Sequence, residues 1–338
     1  MTPGKVWGLR RMADASGHFS MLAIDQRPPI AELIAARRGI GAAGVACGDM
    51  LAVKRALAET LASEVSAVLV DPNFAYPAAV DALSPRAGLI VTLEHHVFED
   101  GAGGRRSRSI RDWSVAKIKR LGADAVKLLA WYRPDAEAEV KRHQQAYVES
   151  VGRACAEHDI AFVLELLVYP FARRASDGSE YREDPAKRPE LVLESVREFA
   201  AERYAVDLFK LESPLPAAAI SGAPDSAQRW FDAIGALLNR PWAMLSGGAA
   251  PDVFAQVLQC AYRAGASGYL AGRAIWWEAL QAYPDLDLCR RALRAQGRRV
   301  IAELNALTAR HARAWVPAAQ PLPESEGEFA AGYAAAGR

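Results

Sequence analysis

Short apolar runs recur along the chain, and each is followed by a longer stretch in which apolar residues return every three or four positions. Repeated βα units around a parallel sheet require that pattern, because each strand is buried on both faces and each helix on one. Eight runs read as strands: "SMLAIDQR" (20–27), "SAVLVDP" (66–72), "GLIVTLE" (88–94), "DAVKLLAWY" (124–132), "AFVLELLVY" (161–169), "VDLFKLESP" (206–214), "WAMLSGG" (242–248) and "GYLAGRA" (268–274). Segments 137–157, 188–203, 225–238 and 252–264 read as amphipathic helices of an outer layer. Eight such units favour a closed (β/α)8 TIM barrel over an open, doubly wound sheet.

No GxGxxG follows the first strand and no GxxxxGK[ST] loop occurs, so neither a Rossmann nor a P-loop reading gains support. No Gly-, Ser- or Pro-rich linker interrupts the pattern, and residues 1–315 are therefore expected to form one barrel domain. Residues 316–338 lose periodicity and turn rich in Ala, Pro and Gly, which predicts an extension over the barrel or a partly disordered tail.

Composition adds little that changes this picture. With 51% hydrophobic residues, 24% charged residues and a net charge of +1, the 338-residue chain has material for a large core and no charge imbalance suited to nucleic acid. The densest basic stretch, "GRRSRSIR" (104–111), reads as a solvated loop. No apolar run approaches the roughly 20 residues of a membrane span, and the first residues lack a signal-peptide core, so a cytoplasmic location is expected. Cys47, Cys155, Cys260 and Cys289 lack CxxC spacing and read as free structural thiols.

In a TIM barrel the chemistry sits at the C-terminal strand ends. Polar and ionisable residues gather there: Asp25, Gln26 and Arg27 after the first strand, Asp71 after the second, Glu94 with His95 and His96 after the third. Lys127, Glu165, Lys210 and Glu212 lie in the fourth, fifth and sixth. A lysine among "VKLL" or "LFKL" must be paired or neutral, because an uncompensated buried ammonium costs several kcal/mol. Structural salt bridges of Lys127 and Lys210 with Glu165, Glu212 or Asp25 are one reading. The other is chemical: apolar walls and a neighbouring cation favour the neutral amine, which attacks a carbonyl carbon to form a Schiff base. Cleaving the adjacent carbon–carbon bond then needs a carboxylate for the imine proton transfers and a base for the leaving hydroxyl, for which Glu165 and Asp25 are suitably placed. No metal or other cofactor is required. After the last two strands, Ser246, Gly247, Gly248, Gly272 and Arg273 occupy the positions where barrels bind phosphate, which points to a phosphorylated ketose.

The chain resembles the class I aldolases of the tagatose 1,6-bisphosphate aldolase type and the related sulfofructose 1-phosphate aldolases. The resemblance rests on "FSMLAIDQR", "AVLVDPNFAYPA", "AVKLLAWYRPD", "AFVLELLVYP", "SEYREDPAKRPELVLESVREF", "VDLFKLESP", "PWAMLSGGAAPDVF" and "AGASGYLAGRAIWWEA", over about residues 18 to 285. It implies Lys210 as the Schiff-base lysine, with Lys127, Glu165 and Asp25 as its catalytic company. It further implies Ser246, Gly247 and Arg273 on the phosphate next to the ketone, and Gln26 and Arg27 on the substrate or its far anionic group. The implied products are dihydroxyacetone phosphate and glyceraldehyde 3-phosphate, or sulfolactaldehyde in the sulfosugar case. "SGG" at 246–248 departs from the "SAG" or "SSG" usual in the family.

Two rivals have sequence features of their own. "EHH" (94–96) could supply ligands for a metal-dependent hydrolase or class II aldolase, but no further histidine lies at a strand end. A non-catalytic, regulatory barrel would predict erosion of the ionisable set, and that set is complete. A homo-oligomer is compatible with such a barrel, although no stripe marks an interface. The partner expected is a small phosphorylated sugar, with no nucleic acid and no membrane.

Overall fold

The structure, a computed structural model, describes residues 1–338 apart from 102, 172–187, 223, 318–323 and 336–338. All eight predicted runs are strands: β1 (Phe19–Ala23), β2 (Ala67–Val70), β3 (Gly88–Thr92), β4 (Ala125–Trp131), β5 (Ala161–Leu167), β6 (Leu208–Leu211), β7 (Trp242–Met244) and β8 (Gly268–Ala271). They close in sequence order, every neighbouring pair parallel, with β8 returning to β1. Strands β1, β2, β3, β6, β7 and β8 stop before the polar ends of their runs, whereas β4 and β5 carry Lys127 and Glu165 within the pairing. Asp25, Glu94 and Ser246 consequently stand on loops just beyond the pairing. The predicted amphipathic segments form helices Ala138–Glu157, Pro189–Phe199, Pro224–Leu237 and Pro251–Arg263.

Strand alternation divides the core in two and carries the ionisable residues inward. Val126, Leu128 and Ala130 of β4, Phe162, Leu164 and Leu166 of β5, and Phe209 and Leu211 of β6 face the helices. Ala125, Ala161, Val163 and Leu208 fill the barrel interior together with Met21, Leu69, Ile90 and Leu270. One step further along those inward rows come Lys127, Glu165 and Lys210.

The opposite end of the barrel is closed by helix α1 (Pro3–Met12), whose Leu9 and Met12 belong to the interior cluster. A side chain at Gly88 would come within 2.8 Å of the Met12 backbone, so the plug seats only against glycine at the start of β3.

The stretch expected to be a solvated loop is different. Gly104–Arg106 pairs with Glu99–Gly101 in an antiparallel hairpin after β3, and Arg105 is 4% exposed. Its guanidinium lies 4.4 Å from the ring centre of Phe98 and 4.8 Å from those of Trp131 and Tyr169. A weakly hydrated planar cation can be buried against aromatic faces at a cost that an ammonium could not meet. The predicted extension lies partly outside the described residues, and its described part includes helix Glu328–Ala335. Among the described residues no helix is long and apolar enough to cross a membrane.

Candidate active site

The mouth of the barrel opens into a cavity whose lining includes Asp25, Gln26, Arg27, Glu94, His96, Lys127, Glu165, Lys210, Ser246, Gly247, Gly272 and Arg273. The structure thus brings together every expected site residue except Gly248. That glycine lies on the far side of Arg273, in a neighbouring cavity.

At the centre one carboxylate bridges two lysines. Parallel pairing sets Glu165 of β5 directly beside Lys210 of β6, and Glu165 Oε1 lies 3.0 Å from Lys210 Nζ. The other oxygen, Oε2, lies 2.7 Å from Lys127 Nζ. Lys127 also meets Glu94 Oε1 at 2.6 Å and Asp25 Oδ2 at 3.3 Å. All five groups are buried.

The two lysines are therefore unequal. Burial opposes the Lys127 ammonium, but Glu165, Glu94 and Asp25 outweigh it and hold the group well above the usual lysine range. Lys127 is a permanent cation rather than the neutral amine that sequence reasoning allowed at either position. Lys210 has the single ion-pair partner Glu165 among the described residues.

Three carboxylates around one ammonium cannot be equally stabilised. Burial pushes Glu165 up, yet Lys127 and Lys210 bring it below the usual glutamate range. Asp25 is likewise desolvated, and Lys127, Lys210, Lys54 and Arg27 bring it below the aspartate range. Glu94 is the one left raised: its desolvation exceeds the pull of Lys127 and Arg27. Asp25 lines the cavity, and its Oδ1 is buried with no hydrogen-bond partner among the described residues.

Arg27 is 6% exposed and donates through Nη2 to the Glu94 carbonyl at 3.3 Å, while Nε and Nη1 have no partner among the described residues. Beside it His95 and His96 stack with ring centres 4.6 Å apart. Burial, Arg27 and then His95 lower the His96 imidazole to about 4, so it is neutral near pH 7. Among the described residues no three His, Cys, Asp or Glu side chains converge in a metal-ligating cluster.

Opposite, Gly247 and Gly248 adopt φ of 59° and 85°, a left-handed turn that favours glycine at both positions. A Cβ at Gly272 would lie 2.7 Å from the Ala23 carbonyl and 2.8 Å from Gln26 Nε2, so the start of helix Arg273–Leu280 can sit against β1 only as glycine. The turn and the helix N-terminus put backbone N–H groups and the Arg273 guanidinium at one side of the cavity, a combination suited to an anion.

Two other strand-end acids serve the fold. Asp71 accepts N–H groups of Asn73, Phe74 and Ala75 at 3.0, 2.8 and 3.2 Å, and Glu212 accepts that of Val168 at 2.6 Å. Sequence reasoning passed over Glu94 as a site residue and missed Lys54. The signal for Lys54 was its place on the apolar stripe Met50, Val53, Leu57 and Leu61 of helix Cys47–Leu61.

A parallel (β/α)8 barrel with paired lysines and carboxylates at its mouth defines the class as an aldolase-type barrel, and known proteins agree. Residues 19–278 match the DeoC/LacD family aldolases. Tagatose 1,6-diphosphate aldolase of Lactococcus lactis subsp. lactis is 31% identical over 327 residues, covering 93% of this chain and 98% of that one. The enzyme of the same name from Listeria monocytogenes serotype 4b is 32% identical, covering 93% and 94%. Among solved structures, an archaeal fructose 1,6-bisphosphate aldolase aligns with a TM-score of 0.53 at 16% identity, over 88% of this chain and 99% of that one. Fructose-bisphosphate aldolase from Plasmodium falciparum aligns at 0.60 and 10%, over 92% and 95%. Those two show the fold alone. The chain belongs to the DeoC/LacD family of aldolases and is a carbon–carbon lyase.

Proposed function

We propose that the protein is a class I aldolase that cleaves a phosphorylated ketose, of the tagatose 1,6-bisphosphate type, through a Schiff base on Lys210. The observation that carries this reading is the Glu165 carboxylate shared between Lys210 at 3.0 Å and the fixed cation Lys127 at 2.7 Å. Glu165 can take a proton from Lys210 as the amine attacks C2 of the ketose, and can return it to the carbinolamine oxygen as water leaves. The protonated imine draws electrons from the C3–C4 bond. Asp25, which lines the cavity, is held ionised and has Oδ1 without a hydrogen-bond partner among the described residues, removes the C4 hydroxyl proton as that bond breaks. The aldehyde departs, the enamine is protonated at C3, and hydrolysis of the imine releases dihydroxyacetone phosphate.

Ser246, Gly247, Gly272 and Arg273 hold the phosphate next to the ketone, with Gly248 supporting Arg273. Gln26 and Arg27 meet the far anionic group, for which Nε and Nη1 of Arg27, without partners among the described residues, are suited. Arg273→Ala should raise KM for phosphorylated ketoses about 10- to 100-fold, the loss expected for a charge-assisted phosphate contact, with a smaller effect on kcat. Steady-state kinetics of the variant checks this.

The reading itself is tested with tagatose 1,6-bisphosphate, fructose 1,6-bisphosphate and sulfofructose 1-phosphate, turnover being followed by dihydroxyacetone phosphate release. Cleavage of tagatose 1,6-bisphosphate to dihydroxyacetone phosphate and glyceraldehyde 3-phosphate is expected. Preference for the sulfonate sugar would move the assignment to a sulfofructose 1-phosphate aldolase, and no cleavage of any of the three would overturn it.

A further inference from the structure

Helix Cys47–Leu61 sends one lysine into the wall between β1 and β2, where Lys54 is fully buried. Its Nζ donates to the Ile24 carbonyl at 2.6 Å, the Gln26 carbonyl at 2.6 Å and Asp71 Oδ2 at 2.7 Å, so all three ammonium protons are used. Ile24 and Gln26 flank Asp25. The loop that carries Asp25, Gln26 and Arg27 is therefore tied at both sides of its first acidic residue. The anchor, Asp71, is itself held by three backbone N–H groups of the turn after β2.

We propose that Lys54 is a positioning residue: its ammonium locks the Asp25–Arg27 loop to the β2 turn and so fixes where Asp25, Gln26 and Arg27 meet the substrate.

Nothing in a merely structural ion pair requires the two carbonyls. A buried ammonium needs compensation, and Asp71 with one carbonyl would have supplied most of it. Spending two bonds on the residues either side of Asp25 instead restrains the backbone of one short segment, the one that holds three cavity residues. Electrostatics act in the same direction. Asp25 faces the cations Lys127, Lys210, Lys54 and Arg27, and the carboxylates Glu94 and Glu165. Removing Lys54 takes away one of four cations that keep Asp25 ionised, so the Asp25 carboxyl should move upward.

The inference rests on the Schiff-base reading with Asp25 as the base, and the test separates the two. Wild-type enzyme and Lys54→Met are each treated with borohydride in the presence of dihydroxyacetone phosphate, and the adduct is located by peptide mass spectrometry. Both are then assayed for ketose cleavage across pH. Lys54→Met is expected to retain the Lys210 adduct while kcat falls at least about tenfold, within what a small misplacement of a reacting group costs. The acidic limb of its kcat profile should move up by about half a unit or more. Unchanged kcat and an unmoved acidic limb, with only a lower Tm, would make Lys54 a stability residue and overturn the proposal. Absence of a Lys210 adduct in the wild type would instead bring down the Schiff-base reading. If Lys54→Met does not fold, Lys54→Gln, whose amide can still donate to Asp71 or one carbonyl, is judged by the same two outcomes.

Discussion

Replacing Lys210 with methionine is expected to abolish ketose cleavage, with kcat reduced at least about 10³-fold, as when a covalent nucleophile is removed. The same variant should show no borohydride-dependent mass increase with dihydroxyacetone phosphate. Its fold should survive, because methionine fills much of the lysine volume on the inward face of β6, and Glu165 keeps Lys127 as its cation. Lys210→Arg is the sharper control. It retains a positive charge beside Glu165, yet a guanidinium forms no imine, so it should be as inactive as Lys210→Met while the site electrostatics stay close to wild type. Activity in Lys210→Arg, or an adduct on another lysine in the wild type, would show that the amine at position 210 is not the nucleophile.

Lys210, Lys127 and Glu165 were legible in the sequence because strand alternation needs only local information. In "AVKLLAW", "AFVLELL" and "LFKL", the flanking apolar residues face the helices, and the polar residue between them is forced inward. That places three charged groups inside one barrel before any contact is known. Their pairing was less legible. Sequence reasoning offered Glu165, Glu212 or Asp25 as structural partners. Glu165 and Asp25 do pair with the lysines, whereas Glu212 accepts the Val168 N–H across the strand ends.

Glu94 was harder to read because it stands beyond β3, where backbone direction no longer fixes a side chain. Arg27 reaching the Glu94 carbonyl and Lys127 meeting its carboxylate are contacts between segments far apart in the chain. Arg105 was misread for the same reason. Its cage draws on Phe98, Trp131 and Tyr169, and a run of arginines by itself carries no sign of aromatic partners elsewhere. Interior charge follows a local rule, while its compensation is a property of the closed barrel.

Glu165→Gln should have the second largest effect, a fall in kcat of about 10² to 10⁴-fold, the range for loss of a positioned proton carrier. Glutamine keeps the size of the side chain and can place an amide oxygen towards one lysine, but it cannot bind and release the proton that imine formation moves. Lys127 would retain Glu94 and Asp25, so its charge and the packing around it should persist. Lys210 would lose the carboxylate that now lies 3.0 Å away. The defect should therefore appear in the imine steps themselves. Rapid-quench borohydride trapping is expected to show slow formation of the Lys210 adduct, with the final extent approached only at long times. Wild-type adduct formation with slow release of aldehyde would be a different result. It would place Glu165 after the imine and leave the early proton transfers to Glu94, the neighbouring carboxyl that burial has raised.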